Sequence, residues 1–219
     1  MSSRKKPRHK AGKAGASSGL PDSEAARREI LSMDRPDRDA WWMGMAFYLS
    51  VMSHDRETKN GAVLVNNVTH RSVGEGYLGF PMGCDDHGLP ATREGGKYAY
   101  TQHAEKNAIL SVRERCSDAT LFCTLEPCEG CVGTLLNQAL LHGDRPGESG
   151  VKRVVFWESR SHEAATVMLQ QHPEITVERY AGPPPQAALR LAARYMDIRP
   201  QDGLWDRDSV ASDYSVADD

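Results

Sequence analysis

The sequence predicts an α/β fold, a three-layer αβα sandwich around a central five-stranded mixed sheet. Three observations predict it. Short apolar runs bounded by turn residues alternate along the chain with segments of helical periodicity, the pattern of strands covered on both faces by helices. A helical segment joins the last two apolar runs, and a crossover of that kind makes the two strands it connects parallel. Finally, 219 residues with 39% hydrophobic content suffice for one good core with flanking tails.

Trp41, Trp42, Met45, Ala46, Tyr48, Leu49 and Met52 recur at helical spacing, with Asp37 placed to cap that helix. Gly61 to Val65 reads as a buried strand, Asn66-Asn67 as a polar turn, and Ser72 to Tyr77 as a second strand. A loop rich in Gly, Pro and Asp runs from Gly79 to about Lys97. Thr101 to Val112 is predicted as a helix with His103 and Glu105 in its first turn, where the helix dipole favours nearby negative charge. Thr120 to Thr124 is a third strand, and Pro127 opens the next helix, at the position where its missing N–H is not needed. A loop from Gly143 to Gly150 precedes a strand at Arg153 to Trp157, a helix from His162 to Gln171 and a fifth strand at Ile175 to Tyr180. Pro183-Pro184-Pro185 leads into a last helix ending near Tyr195.

Three regions follow: a basic arm over residues 1–30, a folded domain over 31–198, and an acidic tail over 199–219. Arg4 to Lys13 carries only positive charge among Gly, Ala and Ser, and both ends lack the apolar residues needed for a core, so both are expected to be solvated. The basic arm reads as a solvated tail, with nuclear import or nucleic-acid contact as its alternatives. The net charge of −3 says little about partners because the charges are unevenly spread, but the lack of a basic stripe within residues 38–200 disfavours nucleic acid as the main partner. No apolar run is long enough to span a bilayer, so no membrane role is expected. Five cysteines, Cys84, Cys116, Cys123, Cys128 and Cys131, form an odd set that fits a reducing cytoplasmic or nuclear compartment better than a disulfide framework.

The chemistry concentrates in His103-Ala104-Glu105 and Pro127-Cys128-Glu129-Gly130-Cys131. One imidazole and two thiolates, the latter three residues apart on one helical face, suit zinc and leave a fourth tetrahedral position to a water. Glu105 would stand beside that water to move protons. A closed structural site is the alternative, with Cys84, His87 or Cys123 as fourth ligand; Cys116 and Cys123 read more simply as small core residues. Tyr98 and Tyr100 are candidates for a wall of the pocket, and His54, Arg56, Lys59, Lys97 and Arg160 for a phosphate.

These motifs, in this order, resemble those of the cytidine deaminase superfamily, and within it the deoxycytidylate (dCMP) deaminase family. Ser53 to Asn66, Gly76 to Asp86 and Lys97 to Ile109 are similar to the family's opening segment, nucleotide-contacting loop and first metal motif, and the likeness spans roughly residues 38 to 180. The resemblance implies zinc held by His103, Cys128 and Cys131, with Glu105 as the proton shuttle. It implies an Ala104 amide donating to the pyrimidine O2 and carbonyls of Leu125 or Glu126 accepting from the exocyclic amine. Asn66, Lys59, Tyr100 and Leu78 complete the expected substrate contacts. The resemblance further implies a homo-oligomer and, in many members, regulation by a deoxynucleoside triphosphate with Mg2+. Two positions depart from the family: Leu78 replaces an asparagine, and Glu126 stands where phenylalanine is more usual.

The expected reaction is therefore zinc-dependent hydrolytic deamination of a cytosine nucleotide, dCMP to dUMP with release of ammonia. Alternatives are another small cytosine substrate (dCTP, a nucleoside or a modified dCMP), a polynucleotide, and a non-catalytic nucleotide-binding subunit. The intact Glu105 argues against the last, and the 7% aromatic content against the polynucleotide.

Overall fold

The computed structural model of the chain describes residues 23–53, 55, 58–81, 83–84, 89–90, 94–145 and 147–182. The basic arm before residue 23, the acidic tail and the helix expected to end near Tyr195 lie outside the described residues. Two compact units divide the chain, residues 1–35 and 36–219. The first holds α1 (Ser23–Ser32), a helix over a segment expected as the end of the arm, with Glu24, Arg27, Arg28 and Leu31 exposed.

The second unit is built on five strands, β1 (Gly61–Asn66), β2 (Arg71–Tyr77), β3 (Ala119–Leu125), β4 (Val151–Glu158) and β5 (Thr176–Arg179), ordered β2-β1-β3-β4-β5. β1 runs antiparallel to β2 and β3, whereas β3, β4 and β5 are mutually parallel. The mixed five-stranded sheet is thus as expected. The parallel half follows from its connections: α4 (Glu129–Asn137) lies between β3 and β4, and α5 (Glu163–Gln170) between β4 and β5. Each strand falls within two residues of its predicted position.

Alternation along the strands divides the core into two layers. Ala62, Leu64, Leu121, Cys123, Val154 and Phe156 point to one face, where they pack with Ala104, Ala108 and Ile109 of α3 (Ala104–Leu110) and Leu135 of α4. Val63, Val65, Phe122 and Val155 point to the other, against Met43, Ala46 and Phe47 of α2 (Arg38–Ser50). Asp37 caps α2 as predicted, accepting from the Ala40 amide at 2.7 Å. Cys116 and Cys123 are buried core residues, 2% and 0% exposed. Among the described residues no helix is long and apolar enough to cross a membrane.

Helices approach the sheet most closely at glycines. A Cβ on Gly76 would stand 2.2 Å from the Ala104 carbonyl oxygen, one on Gly74 2.2 Å from that of Ala108, and one on Gly61 2.0 Å from that of Ala46. These contacts are backbone to backbone, so no side-chain rotation relieves them. We predict that Gly76→Ala destabilises the protein by at least about 2 kcal/mol in urea unfolding, as overpacking against rigid backbone requires. Gly133→Ala, on α4 with nothing within 4 Å of the added methyl, should stabilise it by about 0.5–1 kcal/mol through helix propensity.

Candidate metal and active site

His103 and Cys128 occupy equivalent places in the fold: each is the residue before a helix, with extended backbone, ψ 151° and 169° respectively. N-cap positions ordinarily carry a side chain that accepts from the first turn. Neither residue does so; both side chains turn to each other instead. The chain is led to these points by specific ties. Gly79 and Gln102 exchange backbone hydrogen bonds at 3.1 and 2.7 Å, which brings the end of the β2 loop beside His103. The Asn107 side chain donates to the Tyr77 carbonyl at 2.9 Å. On the other side, the Glu126 amide donates to Glu158 O at 2.9 Å and its carboxylate accepts from Ser159 Oγ and the Arg160 amide, both 2.8 Å. The acidic residue at 126 thus clamps the β3–α4 junction to the segment after β4. One turn of α4 then adds Cys131.

His103 Nδ1 lies 3.3 Å from Cys128 Sγ and 3.4 Å from Cys131 Sγ, and the two sulfurs are 3.6 Å apart. Tetrahedral zinc, with Zn–S near 2.3 Å and Zn–N near 2.0–2.1 Å, sets N–S edges of about 3.6 Å and an S–S edge of about 3.8 Å. The triangle of donors matches zinc to within about 0.3 Å. Among the described residues this is the one group of three or more His, Cys, Asp or Glu donors that could hold a metal ion, and it has three members. Cys123 faces the Val155 carbonyl at 3.6 Å in the core, and Cys84 is exposed; His87 lies outside the described residues. The Cys131 thiol holds Cys128 down at about 3, and its own acidity falls because the shared proton stays on it. A thiolate is therefore ready beside the imidazole for a soft cation.

Glu105 sits in the first turn of α3 and is 1% exposed. Its Oε2 is 3.6 Å from Cys131 Sγ, yet the residue stays outside the donor group. Burial raises its pKa, partly offset by a hydrogen bond from Asn60 Nδ2 to Oε1 at 3.1 Å. His103, Glu105 and Cys128 line a cavity of about 200 Å³ with Leu78, Leu125 and Glu126, and with Asp55, Thr58, Asn60, Tyr98, Thr101, Arg160 and His162. A larger groove of about 300 Å³ lies along α5 and β5 and includes none of the metal donors.

Several sequence-derived candidates are placed elsewhere. Asn66 ends β1, six residues (about 20 Å of strand) beyond Asn60, and its side chain accepts from the Val68 and Thr69 amides to make the turn. Tyr100 is 45% exposed and does not line the cavity; Tyr98 does. Lys59 donates to the Ser53 carbonyl, away from the lining. Lys97, read as a phosphate candidate, is fully buried with its ammonium 2.8 Å from Asp55. His54 and Arg56 lie outside the described residues. Ala104 is buried as the first residue of α3, where the helix leaves its backbone N–H unpaired internally. Asp55, Thr58, Asn60 and His162 were not anticipated. A polar residue at the end of an apolar strand, as at Asn60 and Thr124, is the one signal that could have pointed to this neighbourhood.

Comparison with known proteins agrees with this geometry. The family described as "Cytidine and deoxycytidylate deaminase zinc-binding region" matches residues 36–141. The deoxycytidylate deaminase of Homo sapiens is 30% identical over 145 residues, 62% of this chain and 75% of that protein. That of Mycobacterium phage D29 is 32% identical over 137 residues, 57% of this chain and 97% of that protein. The crystal structure of dCMP deaminase from the cyanophage S-TIM5, in complex with dCMP and dUMP, shares the fold with a TM-score of 0.54 at 24% identity, covering 68% of this chain and 100% of that one.

Two outcomes are expected. Metal analysis should find about one zinc per chain, lost in Cys128→Ser, and chelation should lower the melting temperature as binding linkage demands. Lys97→Met should cost about 3–5 kcal/mol by removing the cation 2.8 Å from the buried Asp55 carboxylate, with much of it recovered in Lys97→Met/Asp55→Leu.

Proposed function

The chain belongs to the deoxycytidylate deaminase family, and from that membership we propose that it hydrolyses dCMP to dUMP and ammonia, with His103, Cys128 and Cys131 as zinc ligands and Glu105 as general acid–base. One observation carries the residue roles: a fully buried carboxylate stands beside a three-donor cluster without joining it, at the wall of a cavity. Zinc in this site supplies the Lewis acidity that makes a water nucleophilic near neutral pH. Glu105 takes the proton of the attacking water as oxygen adds to C4 of the cytosine ring, and passes it to N3. It then takes the proton of the new C4 hydroxyl and delivers it to the exocyclic amine, the C4–N bond breaks, ammonia leaves and C4 becomes the carbonyl of uracil. A carboxyl whose pKa is raised by burial holds and releases a proton more evenly than an exposed one, which suits this double task.

The remaining residues orient the base. The Ala104 amide, at the unpaired start of α3, donates to O2, and main-chain carbonyls at Leu125 and Glu126 accept from the exocyclic amine. Arg160, on the cavity wall with its guanidinium 2.8 Å from Glu158, is the cation for the 5′-phosphate. A second reading, deamination of another small cytosine substrate, draws on Leu78. This buried apolar residue lines the cavity where the family carries an amide, so it offers no side-chain hydrogen bond to a sugar.

The test is turnover of deoxycytidine, dCMP, dCTP, CMP and a cytosine-containing oligonucleotide, followed by ammonia release. dCMP should be the best substrate; preference for the oligonucleotide, or no turnover by zinc-loaded protein, would overturn the proposal. Glu105→Gln should lower kcat by at least ~10² to 10⁴-fold while zinc content is unchanged. Arg160→Ala should lower kcat/KM for dCMP relative to deoxycytidine by about tenfold or more, the loss expected for one charge-assisted hydrogen bond.

A further inference from the structure

Asn60 and Thr124 are polar residues buried at 4% and 0% exposure, at the adjoining ends of β1 and β3. The Gly61 amide donates to Thr124 Oγ1 at 3.1 Å. The hydroxyl accepts there, so its own proton is left for its other neighbour, Asn60 Oδ1, at 2.7 Å. That bond decides which way the Asn60 carboxamide faces. Its carbonyl is turned to Thr124 and its amino group to Glu105, whose Oε1 accepts from Nδ2 at 3.1 Å. A directed chain of donors thus starts on the backbone of β1 and ends on one particular oxygen of the buried carboxylate. The other oxygen, Oε2, is the one on the side of Cys131 Sγ, 3.6 Å away.

We propose that Asn60, locked in orientation by Thr124, is a positioning residue that occupies Glu105 Oε1 and leaves Oε2 as the oxygen that carries the proton. The proposal rests on the deaminase reading of the site. Without the Asn60 amide, Glu105 would be free to rotate about its last torsion, and either oxygen or neither would meet the attacking water. A hydroxyl at 124 and a carboxamide at 60 are needed together: valine at 124 keeps the volume but leaves the Asn60 carbonyl without its donor, so that the amide is held at one end only, by Glu105.

Zinc-loaded Asn60→Leu, Thr124→Val, Thr124→Ser and the double variant Asn60→Leu/Thr124→Val are compared on dCMP. Asn60→Leu should lower kcat by about 10- to 100-fold with KM changed by less than about threefold, the signature of lost alignment rather than lost binding. Thr124→Val should lose kcat in the same sense, Thr124→Ser should recover most of it, and the double variant should be no worse than Asn60→Leu. Unchanged kcat in Asn60→Leu, additive losses in the double variant, or a loss confined to KM overturns the proposal. Should Asn60→Leu fail to fold, the contrast of Thr124→Val with Thr124→Ser decides. A readout independent of turnover is the Asn60 side-chain amide pair in a ¹H–¹⁵N spectrum. One proton should be downfield and slow to exchange in the wild-type protein and in Thr124→Ser, but not in Thr124→Val or Glu105→Ala. A fast-exchanging pair in an active wild-type enzyme sinks the positioning role alone. An ordered pair in a protein that turns over no cytosine substrate sinks the deaminase reading, and the proposal with it.

Discussion

Helix α3 meets β2 at a distance that only glycine permits: the carbonyls of Ala104 and Ala108 come within 2.2 Å of where Gly76 and Gly74 would carry a Cβ. Because this contact is backbone against backbone, it fixes the height and the rotation of the helix together. His103 is the residue before that helix and Glu105 lies in its first turn, so the same contact fixes a metal donor and the carboxylate beside it. The other two donors arrive from β3 through α4, whose start is tied to the neighbouring strand by the Glu126 amide. The His/Cys/Cys group and Glu105 therefore inherit their rigidity from the sheet and the helices packed on it.

The strength of that scaffold permits local losses at the site itself. Two helices begin on residues whose side chains cap nothing, because His103 and Cys128 face each other across 3.3 Å. A carboxylate is buried to 1% exposure between the Asn60 amide and the Cys131 sulfur, and a lysine is buried entirely against Asp55. Each arrangement costs stability when taken alone. Each is tolerated because closely packed α2 and α3 enclose the sheet from both faces, with two apolar layers between them. Among the described residues, no buried side-chain nitrogen or oxygen lacks a hydrogen-bond partner. Polar groups in this core are thus held in networks, and a network transmits orientation as well as energy.

Glu126 and Leu78 show how the departures from the family work in this chain. The acidic side chain at 126 spans to Ser159 and Arg160, so it closes the cavity wall from behind instead of facing a substrate. Leu78 is 7% exposed, and its amide donates to the Asn60 carbonyl, so the strand end that carries it also braces the residue beside Glu105.

The sequence by itself determined the positions of the strands, the parallel pairing of β4 with β5 and the three residues that come together as a candidate metal group. Period and spacing act over a few residues: apolar runs of five or six mark strands, and two cysteines three apart share a helix face whatever surrounds them. Only the tertiary structure decided what stands around those donors. Asn66 looked like a site residue because it closes a family-like segment, yet a strand carries it about 20 Å from Asn60, which does reach Glu105. Lys97 reads in the sequence as a phosphate candidate, yet the fold buries it 2.8 Å from Asp55. Asn60 and Thr124 are 64 residues apart in sequence and 2.7 Å apart in space. That last pairing comes from β1 lying beside β3, a long-range register that no local pattern contains, and it orients the carboxylate beside the His/Cys/Cys group.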